Sequence, residues 1–163
     1  MQFSGGRCCL KVLEGSHISK LDDKGRVTIK PDHRDVIGRE VVLAPGLDPC
    51  VVLYPSLEWQ HHRSALDRAD LHDADADDLI RHVIGGAHTT QVDQRYGRVH
   101  LPSPLLHWAG IDEGEGREVL VIACLKRIEF WNPDTYREYM RERAPLLKET
   151  RRRLLAGERG EAP

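Results

Sequence analysis

Lys24 and Arg26 flank a single glycine in LDDKGRVTIKP, which begins at Leu21. Arg95 and Arg98 do nearly the same in VDQRYGRVHLP, which begins at Val92. Cations held beside a tight backbone turn do the chemistry of anion recognition. Lys meets a phosphate as a point charge, and Arg reads the O6/N7 edge of guanine through two parallel hydrogen bonds. Within the first turn, Asp22 can accept backbone N–H bonds and Gly25 can take positive φ at no steric cost. For either copy alone, a purely structural hairpin, with Arg26 paired to Asp22 or Asp23, has equal weight. The duplication shifts the balance, because solvated charges have no need to recur beside the same turn. DNA, by contrast, offers regularly spaced phosphates and guanine edges.

The elements around these residues repeat in order. Gly25-Arg26-Val27 aligns with Gly97-Arg98-Val99, Pro31 with Pro102, and Gly38 with Gly110. REVVLAP from Arg39 aligns with REVLVIA from Arg117, and LYPSLEW, ending at Trp59, with FWNPDTY, ending at Tyr136. Each copy reads as strand, tight turn, strand, one-turn helix and two further strands. Val27 and Ile29 alternate with Arg26, Thr28 and Lys30, the period of a half-buried strand. Val41 to Ala44 and Val51 to Tyr54 are β-branched runs separated by the strong turn signal PGLDP. One copy has few core positions of its own, so the two are expected to pack into one pseudo-symmetric, β-barrel-like core. Helical periodicity takes over elsewhere. Ser56 reads as an N-cap, with Leu57, Ala65, Leu66 and Ala69 for an apolar face. DADADDLIRHVIGG starts acidic and stops at Gly85-Gly86. Pro133 opens a helix with Tyr136, Tyr139, Met140 and Arg143 on one face, which Pro145 should interrupt. A last basic helix then frays into a disordered tail.

The stretches KLDDKGRVTIKP, GLDPCVVLYPSLEW, VDQRYGRVHLP and EVLVIACLKRIEFWNPDTY, in this order, resemble the MraZ family of transcriptional regulators. These carry two tandem SpoVT-AbrB-type domains, and the likeness runs from about Gly15 to about Tyr139. The resemblance implies an α+β fold: a duplicated, AbrB-like swapped-hairpin β-barrel with peripheral helices and a C-terminal helix. The expected division is an N-terminal extension over 1–14, repeat 1 over 15–60 and a helical linker over 61–88. Repeat 2 then covers 89–140, and a basic helix with disordered tail covers 141–163. It also implies chains assembled as a homo-oligomeric ring, cytoplasmic and nucleoid-associated. Such a ring would bind double-stranded DNA at direct repeats in the promoter of the division and cell-wall gene cluster. The DNA-contacting residues it points to are Lys24, Arg26 and Arg98, and the paired cations of the second turn add Arg95 to the candidate DNA-binding residues. Lys30 looks like an insertion before Pro31. Tyr96 enlarges the second turn, which leaves open whether Arg95 takes the position that Lys24 holds in the first. Two rival readings share the fold: an oligomeric protein-interaction module, and an antitoxin-like protein that wraps a toxin with its C-terminal segment.

Composition bounds these readings. The 163 residues suit one compact domain or two small ones, and 40% hydrophobic with 31% charged residues is ordinary for a soluble chain. A net charge of −2 requires that any cationic surface be local, with oligomerisation to array it. Cys8, Cys9, Cys50 and Cys124 contain no C-x-x-C pair and fit a reducing cytosol. MQFSGGRCCLKVL has no secretory apolar core, and the apolar runs are too short to span a bilayer, so no membrane is expected. DADADD from Asp73 lacks the Gly and Glu of a calcium loop, since Asp78 and Ile84 stand there. The histidines, including His61, His62, His82 and His88, fall in no metal spacing, and no P-loop, G-x-G-x-x-G or G-x-S-x-G occurs. No catalytic residue, metal, cofactor or small-molecule substrate is therefore expected. Trp59 and Trp131 are expected to pack on the core rather than stack on bases. The Arg151–Arg153 run is expected to be a solvated helix end.

Overall fold

The computed structural model describes residues 12–68, 74–112 and 115–157. Cys8, Cys9, most of the expected N-terminal extension, Ala69, Asp73 and the tail beyond Gly157 lie outside the described residues. The chain divides after Asn132 into two units, a β-rich unit and a C-terminal helical unit.

The first copy supplies β1 (Leu13–Lys20), β2 (Arg26–Thr28), α1 (Pro31–Ile37), β3 (Glu40–Pro45), β4 (Cys50–Pro55) and α2 (Ser56–Asp67). After α3 (Ala74–Val83), the second supplies β5 (His88–Gln91), β6 (Arg98–His100), α4 (Ser103–Trp108), β7 (Glu118–Leu125), β8 (Arg127–Trp131) and α5 (Pro133–Gly157). The strands form a six-stranded sheet, β1-β7-β8-β4-β3-β5, and a two-stranded ribbon, β2-β6, all antiparallel. Replacing every strand by its counterpart turns the sheet order into its own reverse. The expected duplication is thus a pseudo-twofold in space. The counterparts Val27 and Val99 face each other in the ribbon, and Val52 faces its counterpart Glu129 in the sheet.

The copies are exchanged, not merely adjacent. β1 of the first pairs with β7 of the second over eight residues, from Leu13↔Leu125 to Lys20↔Glu118, and β5 pairs with β3. One copy alone would have only the β3–β4 or the β7–β8 hairpin, too little sheet to be stable in water. Together they enclose one core. Val41, Leu43, Val51, Leu53, Val119, Val121, Ile128 and Phe130 line one sheet face, and Val27, Ile29, Val99 and Leu101 of the ribbon join them, with Ile37 of α1 and Leu105 and Leu106 of α4. The chain runs from each edge strand, β1 or β5, through a tight turn into the ribbon, which forms a separate two-stranded sheet; the six-stranded sheet keeps β1 and β5 as its edges. On the opposite sheet face lie Cys50, Val52, Tyr54 and Trp131, and α2 and α3 pack there. Burial pushes the Cys50 thiol far up, helped by the Glu129 carboxylate, which makes it an inert core residue. Trp131 is 2% exposed and belongs to the packing, as expected.

Three local expectations are corrected. Ser56 is not the N-cap of α2: Pro55 holds that position, and the Ser56 hydroxyl instead donates to the Glu40 carbonyl at 3.0 Å, tying the helix to β3. The expected apolar face of α2 is not buried, since Leu57 is 61% exposed and the helix buries no residue. Its anchorage is aromatic instead. His62 stacks on Tyr54 at 5.2 Å, and Trp59 lies 5.6 Å from the same ring. Pro145 does not interrupt α5, which runs through it from Pro133 to Gly157. Neighbouring turns evidently tolerate the lost N–H in an exposed helix. The DADADD residues from Ala74 onward are helical, and Arg81 pairs there with Asp77 and Asp78.

Phe130 is fully buried, at the register position facing Val51 on one side and Val121 on the other. Phe130→Ala is expected to lower unfolding free energy by about 3–5 kcal/mol in urea denaturation. Leu57→Ala on exposed α2 should change it by less than about 0.5 kcal/mol.

Candidate nucleic-acid interface

The ribbon and its two turns form the candidate surface. Val27 and Val99 point into the core, so period-two alternation turns Arg26, Thr28, Arg98 and His100 outward. Arg26 pairs across the ribbon with His100, and Thr28 with Arg98. The backbone pairing continues one step at each end, with the Ile29 N–H donating to the Gly97 carbonyl at 2.8 Å and the Leu101 N–H to the Gly25 carbonyl at 3.0 Å. The turns therefore sit at opposite ends of the ribbon, on the order of 13 Å apart at a strand rise of about 3.3 Å per residue. Lys24 lies exposed at one end and Arg95 at the other. All four residues singled out from sequence thus fall on one ribbon and its turns. Sequence reasoning did not name His100 as part of this surface, although its alternation with buried Val99 was a sufficient signal.

The first turn is built on one carboxylate. Asp22 Oδ1 accepts the Lys24 and Arg26 backbone N–H groups, both at 2.9 Å, and Oδ2 accepts Arg26 Nε at 2.8 Å. Arg98 Nη1 approaches the same oxygen at 3.6 Å. Desolvation pushes the Asp22 carboxyl up, but the Arg26 and Lys24 N–H groups and the Arg26 guanidinium outweigh it and hold the group below its ordinary range. Gly25 closes the turn at φ 67°, its N–H donating to the Asp22 carbonyl at 3.1 Å. The pairing of Arg26 with Asp22 is the feature a structural hairpin requires. An Arg that donates through Nε nevertheless keeps two terminal NH2 groups for a further acceptor.

The second turn repeats the backbone with one more residue. Asp93 Oδ1 accepts the Arg95 N–H at 2.8 Å and the Tyr96 N–H at 3.2 Å, and these two bonds hold its carboxyl below the usual range. Gly97 takes φ 66° and donates to the Asp93 carbonyl at 2.6 Å. The extra residue is Tyr96, 51% exposed, with the Arg95 and Arg98 guanidinia 5.1 and 5.3 Å from its ring centroid. Beneath the turn lies Arg34 of α1, whose guanidinium is so close to Gly97 that a Cβ there would stand 2.5 Å from Nε. Arg34 Nε is buried with no hydrogen-bond partner. Nothing in the sequence pattern pointed to this residue, because the contact crosses from one copy to the other.

Elsewhere the side chains offer less. Among the described residues no group of three or more His, Cys, Asp or Glu side chains converges as a metal site. A cavity beneath α2 and α3 is lined by Cys50, Tyr54, His62, Arg127 and Glu129, but its charges satisfy one another. Glu129 accepts from Arg127 Nε at 2.8 Å and from Trp131 Nε1 at 3.0 Å. Arg151, Arg152 and Arg153 are exposed on α5. No helix of the described residues is long and apolar enough to cross a membrane.

Comparison with known proteins agrees with this architecture. The family model described as "MraZ protein, putative antitoxin-like" matches twice in tandem, over residues 12–82 and 83–157. A protein named transcriptional regulator MraZ from Syntrophomonas wolfei is 37% identical over 125 residues, 77% of this chain and 84% of that protein. Proteins of the same name from Paenarthrobacter aurescens and Thermus thermophilus are 32% and 34% identical, over 83% and 75% of this chain and 92% and 83% of theirs.

The two glycines give a differential test of the turns. Gly25→Ala meets no heavy atom nearer than 3.7 Å and carries only the left-handed backbone penalty, about 1–2 kcal/mol. Gly97→Ala carries the same penalty and must also displace Arg34. Thermal unfolding of the two variants should show the larger loss at Gly97, and equal losses would mean that the Arg34 side chain swings aside at little cost.

Proposed function

The chain belongs to the MraZ family, and we propose that it is a transcriptional regulator that binds double-stranded DNA through the β2–β6 ribbon and its turns. Arg26 and Arg98 read guanine edges in this proposal, while Lys24 and Arg95 contact phosphates. The observation that carries the reading is the exchange of strands: it places the cations of two distant sequence stretches on the outward face of one ribbon. A two-stranded ribbon is an element the major groove admits. The proposal extends to short direct repeats in the promoter of the division and cell-wall gene cluster as the target. It places the protein in the cytoplasm, on the nucleoid, acting without cofactor, metal or catalysis. The two copies are taken as repeats over 15–60 and 89–140, separated by the helical linker.

A ring-shaped homo-oligomer completes the proposal. With a net charge of −2, a single ribbon offers only a few cations and weak, salt-sensitive binding. Several ribbons on one ring would engage several repeats together and raise avidity by factors of order 10² to 10⁴. The long outer strand β1, with Ile18 49% exposed, is a sheet edge of the kind that association covers.

Fluorescence anisotropy with a fragment carrying short G-rich direct repeats, against a scrambled control across a salt series, tests the reading. Binding should be tighter and cooperative on the repeats, with a log–log salt slope near −5 if about six phosphates are neutralised. Arg26→Ala should cost about 1–3 kcal/mol and relax base preference. Equal, weak binding to both fragments would leave the ribbon a structural hairpin and favour a protein partner.

A further inference from the structure

We infer that Tyr96 is the positioning residue of the second turn, its ring holding the Arg95 and Arg98 guanidinia ready for DNA; this rests on the DNA-binding reading above. The two turns hold their cations by different means. In the first, a carboxylate grips Arg26 through Nε, consuming a donor and offsetting much of its charge. In the second, one aromatic ring lies 5.1 Å from Arg95 and 5.3 Å from Arg98, both within cation–π range. Such a contact consumes no N–H donor; the charge of Arg98 is partly offset by Asp22 Oδ2 at 3.6 Å, while Arg95 keeps its donors and its charge. Those are the features that phosphate and guanine recognition use.

The backbone that carries the ring is fixed. Tyr96 N–H donates to Asp93 Oδ1, and Gly97, the next residue, is backed by Arg34. Arg95 and Arg98 flank it in sequence, one before the turn closes and one in β6. Two long side chains that would otherwise sample many rotamers thereby share one ring contact, so less freedom is lost when DNA binds. A half-exposed ring between two cations has no comparable use in the hairpin's own backbone, which the Asp93 and Gly97 bonds already close.

The test is the same salt-series anisotropy with Tyr96→Ala and Tyr96→Phe, each checked by thermal unfolding to be folded. Tyr96→Phe keeps the ring and should bind within about twofold of the unchanged protein. Tyr96→Ala should bind about tenfold more weakly with an unaltered salt slope, because the cations remain but are no longer held. Loss of a phosphate contact would instead lower the slope by about one, as Arg95→Ala should. Tyr96→Ala binding as tightly as the unchanged protein overturns the inference while leaving the DNA reading intact. Tyr96→Phe as weak as Tyr96→Ala also overturns it, since the hydroxyl and not the ring would then be at work. If the unchanged protein binds neither fragment, the DNA reading itself fails.

Discussion

The exchange of edge strands between the two copies is the constraint on which the rest of the molecule depends. Among the described residues, β1 finds its partner only in β7 and β5 only in β3. Without that exchange each copy is a lone hairpin. With it, the six strands present one continuous apolar face, and the short β2 and β6 meet over it. Each of those strands has only three residues and a single core side chain, Val27 or Val99. Their pairing is sustained by the chain entering from both edges of the sheet at once. The surface residues Arg26, Thr28, Arg98 and His100 are therefore positioned by long-range sheet pairing and not by local propensity.

Two turns of common descent now solve the same local problem differently. In both, an Asp side chain accepts backbone N–H groups and a glycine in the left-handed region closes the loop. Only the first uses its carboxylate to hold a guanidinium directly. The second inserts Tyr96 and gives its arginines a π surface, while Arg34 of the other copy fills the space behind Gly97. The pseudo-twofold thus relates backbones closely and side-chain chemistry only loosely. Val52 facing Glu129 on the axis makes the same point inside the sheet.

Much of this was legible in the sequence because it depended on local signals. Asp-x-x-Gly spacing, the alternation around Val27 and the Pro133 helix start each reflect backbone chemistry within a few residues. The repeat then supplied the long-range information that a single copy lacks. Features set by tertiary contact were not legible. Ser56 looked like a cap, but the fold drew its hydroxyl to the Glu40 carbonyl. Pro145 looked like a stop, but α5 continues through it. Leu57 and its neighbours looked like a buried stripe, whereas Tyr54, Trp59 and His62 do the anchoring. Arg34 carried no sequence signal at all, since its partner Gly97 belongs to the other copy.

The pairing of β1 with β7 also dictates an order of events during synthesis. Leu13 must wait for Leu125, so the first strand emerges from the ribosome long before its partner exists. The first half then offers only the β3–β4 hairpin, with Leu43, Val51 and Leu53 uncovered until the final strands appear. Contacts of such wide sequence separation fold slowly and expose apolar edges meanwhile. A neighbouring chain whose synthesis has passed Leu125 presents the β7 that the waiting β1 of a shorter chain lacks. For this topology, the boundary between folding within a chain and exchanging strands between chains is kinetic.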